Sequence, residues 1–190
     1  SIALVVGSEY ITSALFGYGS FNEVAIENTA KALYFFALGL PAFSLIKIFS
    51  SFFFANHNTK TPFYISLLSV ALNIVISIYY FKEIGFIIIP IATSVSSWIN
   101  GILLFIFLKK DNLFSFNNEF ILRFIKIIFT SVLMGILFNF LLIFFKDLLA
   151  FDQNMKSFYL ILSVMIGLLF YLFFSYWIKA FKISDFKLNY

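Results

Sequence analysis

The chain has no cysteine, one histidine and three prolines among its 190 residues. Without cysteine it can form neither a disulfide nor a thiolate metal site. A single histidine and no clustered carboxylates leave little for metal or acid–base chemistry. Charge is scarce as well: 12% of residues are charged, 62% are hydrophobic and the mean hydropathy is +1.01. A soluble domain carries about 25% charged residues and cannot hide this much apolar surface in one core. No phosphate-binding loop, nucleophile–base pairing or haem attachment sequence is present, so an enzyme is not expected, nor a nucleic-acid partner. The opening from Ser1 has no basic region followed by a small-residue cleavage site, and Glu9 sits within its apolar stretch. The expectation is a chain cut inside a larger protein.

What the sequence has instead is phenylalanine, 30 of them, in runs such as Phe52-Phe53-Phe54. A helix that is apolar on every side is either buried or membrane-spanning. Each crossing needs about 20 mostly apolar residues. Ser1 to about Phe16 reads as the end of a span. Complete spans follow at about Ala32–Phe54, Phe63–Phe81, Phe86–Leu108, Phe124–Phe145 and Phe158–Ile178. These stretches lack the alternation of barrel strands. The expected fold is therefore all-α: a polytopic transmembrane helix bundle with about five full spans plus one partial N-terminal span.

The joints are punctuated. Gly17-Tyr18-Gly19 breaks the first segment, and Ser20-Phe21-Asn22-Glu23 has capping-box spacing. Thr61-Pro62 predicts a helix entry with a hydroxyl cap and proline at the first helical position. Lys82-Glu83-Ile84-Gly85 reads as a tight polar turn, and Asp111–Glu119 and Lys146–Lys156 as longer connections. Loops on one side hold Lys31, Lys82, Lys146 and Lys156. The other side holds Lys60, Lys109, Lys110, Arg123, Lys126, Lys179, Lys182 and Lys187. The richer side is expected in the cytoplasm, which puts the C-terminus there, with Tyr176 and Trp177 at the interface. Lys109-Lys110 and the tail lysines also suit contact with anionic membrane lipid.

Within the spans a few residues carry chemistry. Lys47 lies about 10 Å inside the second segment at 1.5 Å per residue. Its side chain leans toward the helix N-terminus, away from the nearer interface, which makes snorkelling awkward and a cavity the competing reading. Pro41, after Gly39-Leu40, removes a helix hydrogen bond and gives either a packed kink or a bend that shapes a cavity. Ser69, Asn73 and Ser77 share one helical face, as roughly do Thr93, Ser97 and Asn100, with Ser94 and Ser96 beside them. Facing stripes of this kind act either as helix–helix glue or as an oxygen-lined site for a cation or headgroup. Ser131-Gly135-Asn139 and Ser163-Gly167-Tyr171 read as close-packing seams, and His57 as a solvated loop residue.

Gly39-Leu40-Pro41-Ala42-Phe43 with Ile46-Lys47 resembles the tenth transmembrane helix of the MurJ (MviN) lipid II flippase family, in the MOP exporter superfamily. Phe53-Phe54-Ala55-Asn56-His57-Asn58-Thr59-Lys60-Thr61-Pro62 is similar to that family's loop, an aromatic-Ala pair leading into Thr-Lys-Thr-Pro. Leu15-Phe16-Gly17-Tyr18-Gly19-Ser20-Phe21, Leu72-Asn73-Ile74-Val75, Ala92-Thr93-Ser94, Trp98 and Asn100 extend the likeness over nearly the whole chain. The resemblance implies a fourteen-helix transporter in two lobes, with residues 1–110 the end of helix nine to helix twelve and 111–190 helices thirteen and fourteen. It implies a bacterial inner-membrane protein, not an enzyme, that flips undecaprenyl-linked lipid II for peptidoglycan, cell-wall and cell-shape maintenance. The N-terminal lobe of the same protein would be its partner, and the last two helices would form an apolar groove for the lipid tail.

By the same resemblance Lys47 and Pro41 would border the substrate cavity. Thr59, Lys60, Thr61 and Pro62 would form the cytoplasmic loop motif. Asn73, Ser77 and Thr93 would fall where some relatives bind sodium; no other cofactor is implied, and the membrane potential is the other coupling. Asn56 and Asn58 stand where the family commonly has arginine and aspartate, and Ser77 lacks the stronger amide or carboxylate ligand. Two alternatives stay open: an exporter of another polyprenyl-linked saccharide, and a non-transporting structural or assembly membrane protein.

Overall fold

The computed structural model describes residues 1–19, 22–111 and 117–180. Among them are the helices α1 (Ile2–Phe16), α2 (Glu23–Ala55), α3 (Lys60–Ile84), α4 (Ile88–Lys110), α5 (Asn118–Phe144) and α6 (Lys156–Trp177), with a 3-10 turn at Gly85–Ile87. No strand occurs among the described residues. Four helical stretches are long and apolar enough to cross a membrane, and the stretch from Lys60 to Lys110 comprises both α3 and α4. With the shorter α1 of 15 residues, this is the all-α, multi-pass architecture. Phe140, Phe144 and Phe173 are exposed, a surface suited to lipid contact.

Helix boundaries differ from the sequence expectation most clearly at α2, at α3 and at the α3–α4 turn. Helix α2 begins at Glu23, well ahead of Ala32, because Glu, Lys and Ala in its first turns are good helix formers that hydropathy passes over. Its cap is Asn22, whose side-chain oxygen accepts from the Ala25 N–H at 2.9 Å, while Ile26 N–H bonds the Asn22 carbonyl at 3.1 Å. A box running from Ser20 to Glu23 would need the helix to start earlier; Ser20 itself lies outside the described residues. Helix α3 likewise starts at Lys60, so Pro62 stands within the first turn and not at its first position. The cap there comes from Asn58: its Oδ1 accepts from Thr61 N–H at 3.1 Å and its Nδ2 donates to Thr61 Oγ1 at 3.0 Å. Proline is harmless in the first turn, whose N–H groups have no intrahelical acceptor. The α3–α4 turn is tighter than the four residues expected. Helix α3 runs through Ile84, and Gly85 at φ 74° makes the reversal.

The helices gather into two compact units. In the first, formed by α2 from Asn28 onward with α3 and α4, the core is Phe49, Phe53, Ile65, Leu104 and Leu108. Gly39 of α2 lies against Ser94 of α4, so that a Cβ there would stand 2.7 Å from the serine Oγ and 3.2 Å from its Cα. Two α4 side chains donate to α2 carbonyls alongside this contact: Ser94 Oγ to Phe35 and Trp98 Nε1 to Leu38, the latter at 3.0 Å.

In the second unit α1, the first turn of α2, α5 and α6 enclose Ala14, Phe138, Leu142, Leu149 and Leu160. Small residues allow this packing. A Cβ on Gly7 would meet the Phe138 ring at 2.7 Å, Gly135 abuts Ile2, and Gly167 lies beside Met134 and Phe138. Lys156 is the surprise. Sequence puts it in a loop, yet it is the first residue of α6 and only 1% exposed. Its ammonium donates to the Gly17 carbonyl at 2.6 Å and the Phe151 carbonyl at 2.7 Å. It also lies 4.3 Å from the Tyr18 ring centroid and 4.7 Å from that of Phe151. Next to it Ser157 Oγ donates to the Ala14 carbonyl and pairs with Tyr18 OH, both at 2.7 Å. The C-terminus of α1 is thereby capped by side chains from the start of α6. Lys182 and Lys187 lie outside the described residues.

Candidate functional site

Helices α3 and α4 run antiparallel across Gly85, which brings their polar stripes together near mid-span. Asn73 Nδ2 donates to Thr93 Oγ1 at 3.1 Å and to Ser96 Oγ at 3.3 Å. Ser77 Oγ donates to Asn73 Oδ1 over a long 3.4 Å. The three residues placed in a cation site by sequence therefore converge. Ser96 joins them, a residue that the helical-face argument had set to one side. Thr93 Oγ1 is turned to the Ile89 carbonyl at 2.8 Å, and the Thr93 carbonyl accepts from Ser96 and Ser97 at 3.1 and 2.7 Å. Ser94 does not face α3 at all; it serves the contact with α2.

Beside this network is a cavity of about 430 Å³ lined by residues that include Phe43, Ile46, Ser69, Asn73, Ser97 and Asn100. Asn100 is 7% exposed, and its Oδ1 has no hydrogen-bond partner among the described residues. Ser69 is turned back to the Ile65 carbonyl at 2.9 Å. The polar groups among them are neutral hydroxyls and amides, set beside the apolar walls of Phe43 and Ile46. Asn73 Oδ1 accepts only the long bond from Ser77, so it retains capacity for a small hard cation. The donor set fits such an ion, with no carboxylate to strengthen it.

Lys47 and Pro41 are not on the wall of this cavity. Both lie on α2 and both are exposed; α2 continues helical through Pro41, and Ser44 Oγ bonds the Leu40 carbonyl at 3.2 Å. Lys47 makes no hydrogen bond or ion pair among the described residues. Of the loop motif, Thr61 is held by Asn58, Lys60 begins α3, and His57 adopts φ 56°. The Thr59–Pro62 motif thus shapes a short α2–α3 reversal.

The family model described as "Lipid II flippase MurJ" matches residues 1–159. The chain belongs to the MurJ lipid II flippase family. A probable lipid II flippase MurJ of Thermotoga maritima is 35% identical over 185 residues, covering 97% of this chain and 35% of the relative. One of Rickettsia prowazekii is 34% identical over 137 residues, covering 72% of this chain and 27% of the relative. A solved structure of lipid II flippase MurJ in an inward closed conformation superposes with a TM-score of 0.74. It has 27% sequence identity, over 94% of this chain and 35% of that one. The chain thus spans about a third or less of the MurJ relatives it matches. Those MurJ proteins are transporters by name, and the long apolar helices make this chain a multi-pass membrane protein.

Proposed function

We propose that this chain works as the C-terminal part of a lipid II flippase. The complete protein moves undecaprenyl-linked peptidoglycan precursor across the bacterial inner membrane by alternating access, with its C-terminus in the cytoplasm. The observation that carries this reading beyond family membership is Lys47. It is an exposed lysine without a partner among the described residues, set about 10 Å inside an apolar helix. An ammonium at that depth is costly unless it meets water or an anion. A cavity passing a diphosphate supplies both, and the N-terminal lobe supplies its other wall. Pro41, less than two turns earlier on the same helix, leaves the Ala37 carbonyl without its helical donor, where a bend shapes that cavity. The complete protein carrying Lys47→Ala is expected to fail to support growth of a flippase-depleted strain, and Lys47→Arg to support it. Growth of the Ala variant at normal membrane levels would remove the assigned role.

Sodium is the proposed coupling ion, held by Asn73, Ser77 and Thr93. The neutral set gives weak binding, so Asn73→Ala is expected to abolish equilibrium uptake of radioactive sodium by the purified complete protein. Ser77→Asp, which adds a charged oxygen, is expected to tighten it about tenfold, equivalent to roughly 1.4 kcal/mol. Absence of sodium binding to the native protein would leave the membrane potential as the coupling.

A further inference from the structure

A second cavity, of about 490 Å³, lies wholly within the unit of α1, α5 and α6, bordered by the first turn of α2. Glu9, Glu23, Glu27 and Asp147 line it together with Lys146, against apolar walls that include Ile26 and Leu149. It sits where α1 and α5 end and α2 begins. Glu9 is about 10 Å below the end of α1 at 1.5 Å per residue, so the cavity runs from the polar α5–α6 connection down along α1.

Two features show what it accepts. The first is charge arrangement. Lys146 stands among carboxylates yet forms no ion pair with any of them, and Glu9, Glu23 and Asp147 make none among the described residues. Both signs are therefore available to an incoming group. No three of these carboxylates are placed to hold one metal ion. The second is Ser13, which borders the cavity and is 8% exposed. A helical serine ordinarily bonds the carbonyl four residues back, as Ser44, Ser69 and Ser163 do here. The Ser13 hydroxyl makes no such bond and has no partner among the described residues. The residue is nearly buried, and its unpartnered hydroxyl is among the groups lining the cavity.

We infer that this cavity binds the zwitterionic headgroup of an aminophospholipid. The primary ammonium is received on the acidic wall that Glu9 and Glu23 provide, and the phosphate by Lys146 and the Ser13 hydroxyl. A primary ammonium offers three N–H donors, which a trimethylammonium lacks. Charge-assisted bonds of both signs then hold one headgroup, while its acyl chains remain in the surrounding bilayer. This site is separate from the α3–α4 cleft and does not rest on the flippase reading.

Native mass spectrometry of the detergent-purified protein tests it with dioctanoyl phosphatidylethanolamine, phosphatidylcholine and phosphatidylglycerol. Soluble phosphoethanolamine is the fourth probe. The ethanolamine lipid is expected to bind about tenfold more tightly than the other two lipids. That preference should vanish in the Glu9→Gln, Glu23→Gln double variant and shrink in Ser13→Ala. Both glutamates are exposed, so the double variant retains its helices, which circular dichroism checks. Equal affinity for the three lipids, or preference for the glycerol lipid, overturns the inference. Binding of phosphoethanolamine as tightly as the lipid assigns the site to a free zwitterion and also overturns it.

Discussion

Lys156→Met is expected to cost about 3 kcal/mol in reversible unfolding, although no residue of the α3–α4 cleft is touched. The buried ammonium costs desolvation energy, and replacing a whole buried ionic group with apolar side chains is often neutral. Here only one side of the interaction is removed. The buried carbonyl of Gly17 and the partly buried carbonyl of Phe151 lose their donor. A hydrogen bond from a charged donor contributes about 1.5–3 kcal/mol. A desolvated cation over an aromatic ring adds up to roughly 2 kcal/mol, and the rings of Tyr18 and Phe151 both face this one. Methionine recovers part of that by packing. Denaturant titration in detergent measures the loss, and hydrogen exchange should locate it at residues 14–18 and 151–157. A variant as stable as the native protein would mean that water replaces the ammonium at both carbonyls.

Gly39→Val should be the most disruptive change in the other unit. Even alanine would place its Cβ 2.7 Å from Ser94 Oγ and 3.2 Å from Ser94 Cα. The hydroxyl can rotate away, but then the Phe35 carbonyl loses its donor. Valine has no such escape, and α2 must move off α4, carrying Phe49 and Phe53 with it. Overpacking costs about 1–3 kcal/mol, and the lost hydrogen bond adds about 1 kcal/mol. The same unfolding assay reads this. Ser94→Gly in the Gly39→Ala background should recover most of the loss, because it removes the side chain that the new Cβ meets. Failure of that rescue would place the strain elsewhere on α2.

Both predictions involve contacts that hydropathy cannot reveal, and they mark where the sequence was and was not legible. The long apolar helices were readable because lipid demands continuous apolar runs, and the run ends fall within a few residues of Phe16, Ala55, Phe144 and Trp177. Helix starts were less readable. Glu23 through Lys31 is polar enough to look like loop, yet a helix projecting from a bilayer needs no apolar residues. That the stripes carrying Asn73 and Thr93 could face each other followed from four-residue spacing and a short turn, and the structure joins the two by a hydrogen bond. The unpaired oxygen of Asn100 did not, because spacing gives a face and not a partner. Lys156 misled most, since a lysine at the edge of an apolar run is ordinarily solvated. Only the tertiary approach of the α1 terminus gives it carbonyls to bind. Ser94 belongs with it, as it abandons the local carbonyl for one outside its own helix, and Ser13 leaves its own without taking another partner among the described residues.

The indole of Trp98 is tied to a carbonyl of α2 by a single hydrogen bond. The chain has only two tryptophans, and the other, Trp177, ends α6 in an exposed position. Replacing Trp177 with phenylalanine leaves one tryptophan in this chain, whose emission wavelength depends on whether that bond is made. The molecule thus contains an intrinsic optical gauge of α2–α4 separation beside Pro41, readable in a native bilayer without any attached dye.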